Sequence, residues 1–253
     1  MAELLFGGAV VAYGEAAVAL GAEARRPGVA GRLAIWGVRL GWLLQTALLV
    51  VQGARADGFP WADRAGALTL LAWLAVGGYL IWGCRPRYRL LGLGVMPLAA
   101  GLLLLAYALG GVDGDADGST LLLATHVALM LAAFAGFTLA GALGVLYLLE
   151  ARRLKRREPR ILRLRMPPLE ALERLEAKTL AVSLAVLAVG IVLGAVSLAV
   201  DGGGVDAVMV ATLAAAAFYG AVVLARPRGR RAATLSVVGL VLVLAVLPIV
   251  HFA

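Results

Sequence analysis

The sequence has 253 residues, 62% of them hydrophobic and only 15% charged, against about 25% charged in soluble domains. Such an excess of apolar surface excludes an ordinary soluble domain and suits repeated crossings of about 30 Å of hydrocarbon. The net charge of +8 raises nucleic acid as a partner, but the placement of that charge along the chain decides against it.

Eight apolar stretches follow one another, over about 4–20, 33–53, 65–83, 89–110, 120–149, 180–200, 206–225 and 233–252. Leu, Ala and Val dominate them, and no strand alternation appears. Backbone groups in lipid must be satisfied within their own segment, so each stretch is expected to be a helix. The predicted class is an all-α, polytopic transmembrane helix bundle forming a single domain over 1–253. The fifth stretch is the longest and is expected to project from the membrane. Its Gly136, Ala140 and Gly144, four apart, suit close helix packing. No cleavable signal is evident, because the first apolar stretch lacks a basic leader. Cys84 is the single cysteine, so an intrachain disulfide is impossible, and its place beside a basic loop suggests a reduced thiol.

Loops 21–32, 84–89, 150–179 and 226–232 hold 20 of the 23 basic residues, and eight spans put all four loops on one side. The opposite loops are acidic, with Asp113, Asp115 and Asp117 in one and Asp201 and Asp206 in another. The positive-inside rule therefore predicts cytoplasmic basic loops, both termini outside, and residence in the cell inner or plasma membrane. Charge divided among short loops beside the membrane selects anionic lipid over nucleic acid. In loop 150–179 the segment LEALERLEAK follows Pro167 and Pro168. Its Leu169, Leu172 and Leu175 at helical spacing predict a short amphipathic helix along the membrane, a span anchor or a docking surface.

The two histidines are His126 and His251. His126 lies about five residues into its span, roughly 8 Å deep at 1.5 Å per residue. His251 ends the last span on the same side. Either could be an interfacial polar residue. As a pair at matching depth, two imidazoles from different helices could ligate a haem iron from both faces. Zinc is a poor fit, since it takes three or four protein ligands. Arg39, about seven residues inside the second span, should face a partner. That partner is Glu15, in an ion pair, or else a haem propionate or an acidic substrate. Arg55 and Arg64 flank the outer segment DGFPWAD, which contains Trp61. They could pair with Asp57 and Asp63, or cap the propionate edge of a porphyrin. No phosphate-binding glycine loop and no Ser/His/Asp arrangement is supported. With no motif for covalent chemistry, the chain reads as a binding or transfer protein rather than an enzyme.

Several segments together resemble the HemX-like branch of the cytochrome c assembly membrane proteins, the superfamily that includes CcsA and CcmC. GRLAIWGVRLGWLLQTALLV looks like the family's Trp-x-x-Gln-Thr segment, and GFPWADRAGALTLLAW like its Phe-Pro loop entering the next helix. THVALMLAAFAGFTLAGALGVLYLLEARRLKRR resembles the His-bearing span with its basic exit, and MPPLEALERLEAK resembles the Pro-x-Leu-Glu stretch that follows. GRRAATLSVVGLVLVLAVLPIVHF resembles the closing span with its late His-Phe. The resemblance covers most of the chain in order. It implies non-covalent haem b held by His126 and His251, and haem, lipid and a cytochrome c assembly subunit as partners. It also implies an alternative, a membrane adaptor that lowers glutamyl-tRNA reductase through the cytoplasmic loops. One departure stands out. Synthases of the superfamily carry a Trp-rich outer loop where this chain reads VDGGGVDAVMV, so the resemblance does not extend to thioether formation.

Overall fold

Apolar stretches fold as helices, and in the helices Ala2–Arg25 and Val29–Arg55 small residues make up much of the buried stripe. The computed structural model describes residues 1–25, 28–55, 64–83, 85, 88–110, 120–156, 168–201 and 207–249. Among them are α1 (Ala2–Arg25), α2 (Val29–Arg55), α3 (Arg64–Gly83), α4 (Gly92–Gly110), α5 (Leu121–Lys155), α6 (Leu169–Asp201), α7 (Ala207–Ala225) and α8 (Arg230–Ile249), with a short 3-10 turn at Arg89–Leu91 and no strand. Five helices are long and apolar enough to cross a bilayer: Ala2–Arg25, Val29–Arg55, Arg89–Gly110, Leu121–Lys155 and Leu169–Val200. Ala65–Ile81 and Met209–Ala225 are shorter apolar helices. The molecule is an all-α helical membrane protein.

The chain divides into two compact units. The first holds Met1–Ser119 with Arg153–Pro167, and the second Thr120–Arg152 with Pro168–Ala253.

In the first unit, α1 buries Ala9, Ala12, Tyr13, Ala16 and Leu20, which recur at three- and four-residue steps and so share a face. Against them α2 presents Ala34, Val38, Gly41 and Gln45. The absence of side chains at Gly37 and Gly41 brings the backbones together. A Cβ at Gly41 would lie 2.6 Å from the Tyr13 ring. Lipid offers no hydrophobic drive between helices, so close packing and hydrogen bonds supply the attraction. The fully buried Gln45 provides two such bonds. Its Oε1 accepts from the Tyr13 hydroxyl at 2.6 Å, and its Nε2 donates to the Thr69 carbonyl at 2.8 Å. One side chain therefore joins α1, α2 and α3. A turn away, Trp42 and Trp73 stack with centroids 5.1 Å apart. Trp42 Nε1 donates to the Trp73 carbonyl, and Trp73 Nε1 donates to Thr46 Oγ1. At the basic-loop end, the Glu23 carboxylate accepts the Gly28 and Gly31 amides and meets Arg89 Nη1 at 3.3 Å.

In the second unit, α5 runs antiparallel to both α6 and α8. Gly136 faces Ser183, and Gly190 and Gly194 of α6 face Met130 and His126. Toward α8, a Cβ at Gly144 would lie 2.7 Å from the Ala233 carbonyl oxygen. The small-residue stripe on α5 is thus used on two sides. Phe137 of α5 stacks on Tyr219 of α7 at 3.7 Å. The segment LEALERLEAK is helical. It forms the first turns of α6, which continues as one 33-residue helix.

Candidate functional site

His126 stands near the start of α5, where the Thr120 hydroxyl accepts the Leu123 amide at 3.3 Å and steadies the first turn. The half-buried His126 ring turns toward α6, and its Nδ1 lies 2.7 Å from the Gly190 carbonyl oxygen. A carbonyl only accepts, so the proton sits on Nδ1 and the lone pair on Nε2. A backbone carbonyl on one ring nitrogen commonly orients the other toward a metal and raises its basicity. The carbonyl is reachable because Gly194, one turn further along α6, has no side chain to cover it. A Cβ there would lie 2.5 Å from His126 Cε1. Neither glycine was singled out from the sequence, although the pair stands four apart in GIVLG.

His251 lies outside the described residues, as do Trp61 and Cys84. Helix α8 is described as far as Ile249. Its antiparallel pairing with α5 sets Ala233 opposite Gly144. Sixteen residues on from Ala233 is Ile249, and sixteen back from Gly144 is Ala128. Equal helical rise therefore brings the last described turn of α8 to within about two residues of the level of His126, and the contact of Gly141 with Leu240 gives about six.

Arg39 does not point into the interior. It is exposed on α2, with its guanidinium carbon 5.2 Å from the centroid of Trp36, itself 66% exposed. The buried face of α2 is the one bearing Val38 and Gly41, and a step of one residue rotates a side chain about 100° around the helix. Glu15 is exposed as well. Arg55 ends α2 in an exposed position, and Arg64 opens α3 with its side chain outside the described set. Both belong to the first unit and His126 to the second.

The model of the cytochrome C assembly protein family matches residues 61–252. The chain belongs to that family. The match runs from Trp61 to Phe252 and so includes both histidines, with α1 and α2 preceding it. It gives this multi-pass membrane protein a role in cytochrome c biogenesis. The comparison with curated proteins gave no match.

Haem is the group associated with this family, and the donor chemistry at His126 fits it. An imidazole with its Nδ1 proton held by a carbonyl presents a neutral Nε2, the form that binds haem iron.

Proposed function

We propose that this protein holds non-covalent haem b near the outer leaflet and passes it on, as a HemX-like member of its family in the cell inner or plasma membrane. His126 Nε2 and His251 are the residues that would hold the haem iron. The Gly190 carbonyl keeps the His126 ring in one tautomer and one orientation. Bound haem supplies an iron centre that takes two nitrogen ligands. The chain's own contribution is to bind, orient and release, without catalysis. The observation that carries this reading is the 2.7 Å contact between His126 Nδ1 and the Gly190 carbonyl, which leaves Nε2 as the available donor. The register of α8 against α5 supports the pairing with His251.

The test is an absorption spectrum of protein purified after expression with haem supply. A Soret band is expected, weakened by His126→Ala or His251→Ala. A double replacement that leaves the band unchanged would overturn the ligand assignment.

A second reading is a membrane adaptor for a cytoplasmic enzyme of haem biosynthesis, with glutamyl-tRNA reductase suggested by the HemX resemblance. It is favoured by the exposed Glu170 and Arg174 pair, 2.7 Å apart at the start of α6, which presents charge at the basic-loop end. Co-purification of that enzyme with a protein free of haem would select this reading over the first.

A further inference from the structure

At the basic-loop end of the second unit, three residues on from Glu173, Glu176 turns into the protein. It is 1% exposed, and neither carboxyl oxygen has a hydrogen-bond partner. On α8 beside it, the Ser236 hydroxyl is equally buried, makes no hydrogen bond of regular geometry, and lies within reach of the Glu176 carboxyl. The same helix face carries Leu172 and Leu175, both buried. Glu173 is engaged elsewhere, with Oε1 accepting the amide of Gly229 at 3.0 Å. Gly229 has φ +61 in the turn between α7 and α8, where a side chain would be strained. Tyr147 of α5 is close to Gly229 and within electrostatic range of Glu173, Glu176 and Arg230. Arg230 itself is exposed.

An ionised carboxylate is an acceptor only, and burying one without partners is strongly unfavourable. Either a proton or a cation must remove that charge. A hard divalent cation takes six or more oxygens. Here the unpartnered oxygens are the two of Glu176 and the one of Ser236, while Glu173 is tied to Gly229. Among the described residues no three His, Cys, Asp or Glu side chains converge as a metal would need. A proton requires only one of these atoms. It turns the carboxylate into a group with one donor and one acceptor, which a hydroxyl can match in both senses.

We propose that Glu176 and Ser236 form a proton-binding site in the protein interior, in which burial favours the neutral acid over the carboxylate. Loss of the proton places a second negative charge one helical turn from Glu173, the residue that secures the α7–α8 turn. Proton occupancy therefore governs how firmly that turn is held. The folded state binds the proton more tightly than the unfolded chain does. The stability arising from this difference is complete at acid pH and is lost as pH rises.

The experiment uses the full chain in detergent. Infrared spectra taken with isotope-labelled glutamate should show a protonated carboxyl stretch at mildly acid pH, above the range where exposed glutamates are protonated, that disappears at high pH. Glu176→Gln should remove that band, and Glu176→Asp should shift it out of the labelled set. Glu176→Gln should also abolish the fall in thermal stability with rising pH. Survival of the band in Glu176→Gln, or its absence from the wild-type protein at mildly acid pH, overturns the proposal. So does a wild-type stability that rises with sodium or magnesium concentration and loses that dependence in Glu176→Gln, which would mark a cation site.

Discussion

Gly194 and His126 are opposed so closely that the glycine's missing side chain is the space the imidazole uses. Gly190, one turn earlier, supplies the carbonyl that the ring binds. The two glycines have separable roles. Gly194→Ala should push the ring off the carbonyl, at about 1–3 kcal/mol of overpacking, and lower haem retention. Gly190→Ala meets only the sulfur of Met130, 2.9 Å away on a flexible side chain, and should leave retention near normal. Haem content per protein after purification checks both. Equal losses would mean that the two substitutions act through general packing.

Gln45 offers a stability test in the first unit. Gln45→Leu leaves the buried Tyr13 hydroxyl without its acceptor, and an unsatisfied buried polar group costs about 1–3 kcal/mol. A lower unfolding temperature in detergent is expected. Adding Tyr13→Phe removes the orphaned hydroxyl, so the double variant should be less destabilised than the sum of the two single variants. Strict additivity would contradict the coupling.

Arg39→Leu should have little effect on yield or haem content. The guanidinium lies over an exposed Trp36, a contact worth about 0.5–1 kcal/mol at an exposed site. Expression level and the Soret band are the measurements. A large loss of either would show that Arg39 engages haem or a partner.

The basic-loop bias predicts both termini outside. In a Cys84→Ser background, a cysteine placed at Ala116 should be labelled by an impermeant reagent from the outer side, and one at Lys155 only after the cytoplasmic side is opened. Labelling of position 116 from the cytoplasm alone would reverse the orientation.

Docking of a cytoplasmic enzyme on α6 can be tested at Glu170. The side chains of Glu170 and Arg174 are largely exposed, whereas Glu173 binds a backbone amide and Glu176 is buried. Glu170→Lys together with Arg174→Glu should preserve the fold and haem content while reducing recovery of a docked partner. Unchanged recovery would leave these first turns of α6 as a helix extension alone.

Hydropathy and loop charge made the helices and the membrane class legible, because each span satisfies its backbone internally and its length follows from bilayer thickness. Gln45 was legible as interior polarity because it stands among Leu and Ala. The face of Arg39 was not, since depth along a helix says nothing of direction around it. For Glu176 the periodicity pointed the right way without being followed. It is four residues from Leu172 and one from Leu175, within the leucine face, yet its charge favoured the outside. The seat of His126 was hidden because Gly190 and Gly194 are 64 and 68 residues away in sequence. A glycine in an apolar span does not announce which side chain will fill the space beside it.

Helices α5 and α6 have 35 and 33 residues, about 50 Å each at 1.5 Å per residue, against about 30 Å of hydrocarbon. His126 is only five residues from the first residue of α5, so its depth is measured from that end. A membrane that thickens or thins by a few ångströms has roughly 20 Å of rigid helix at the opposite end to take up the difference. The histidine can thus keep its depth below the membrane face nearest to it across bilayers of different lipid composition.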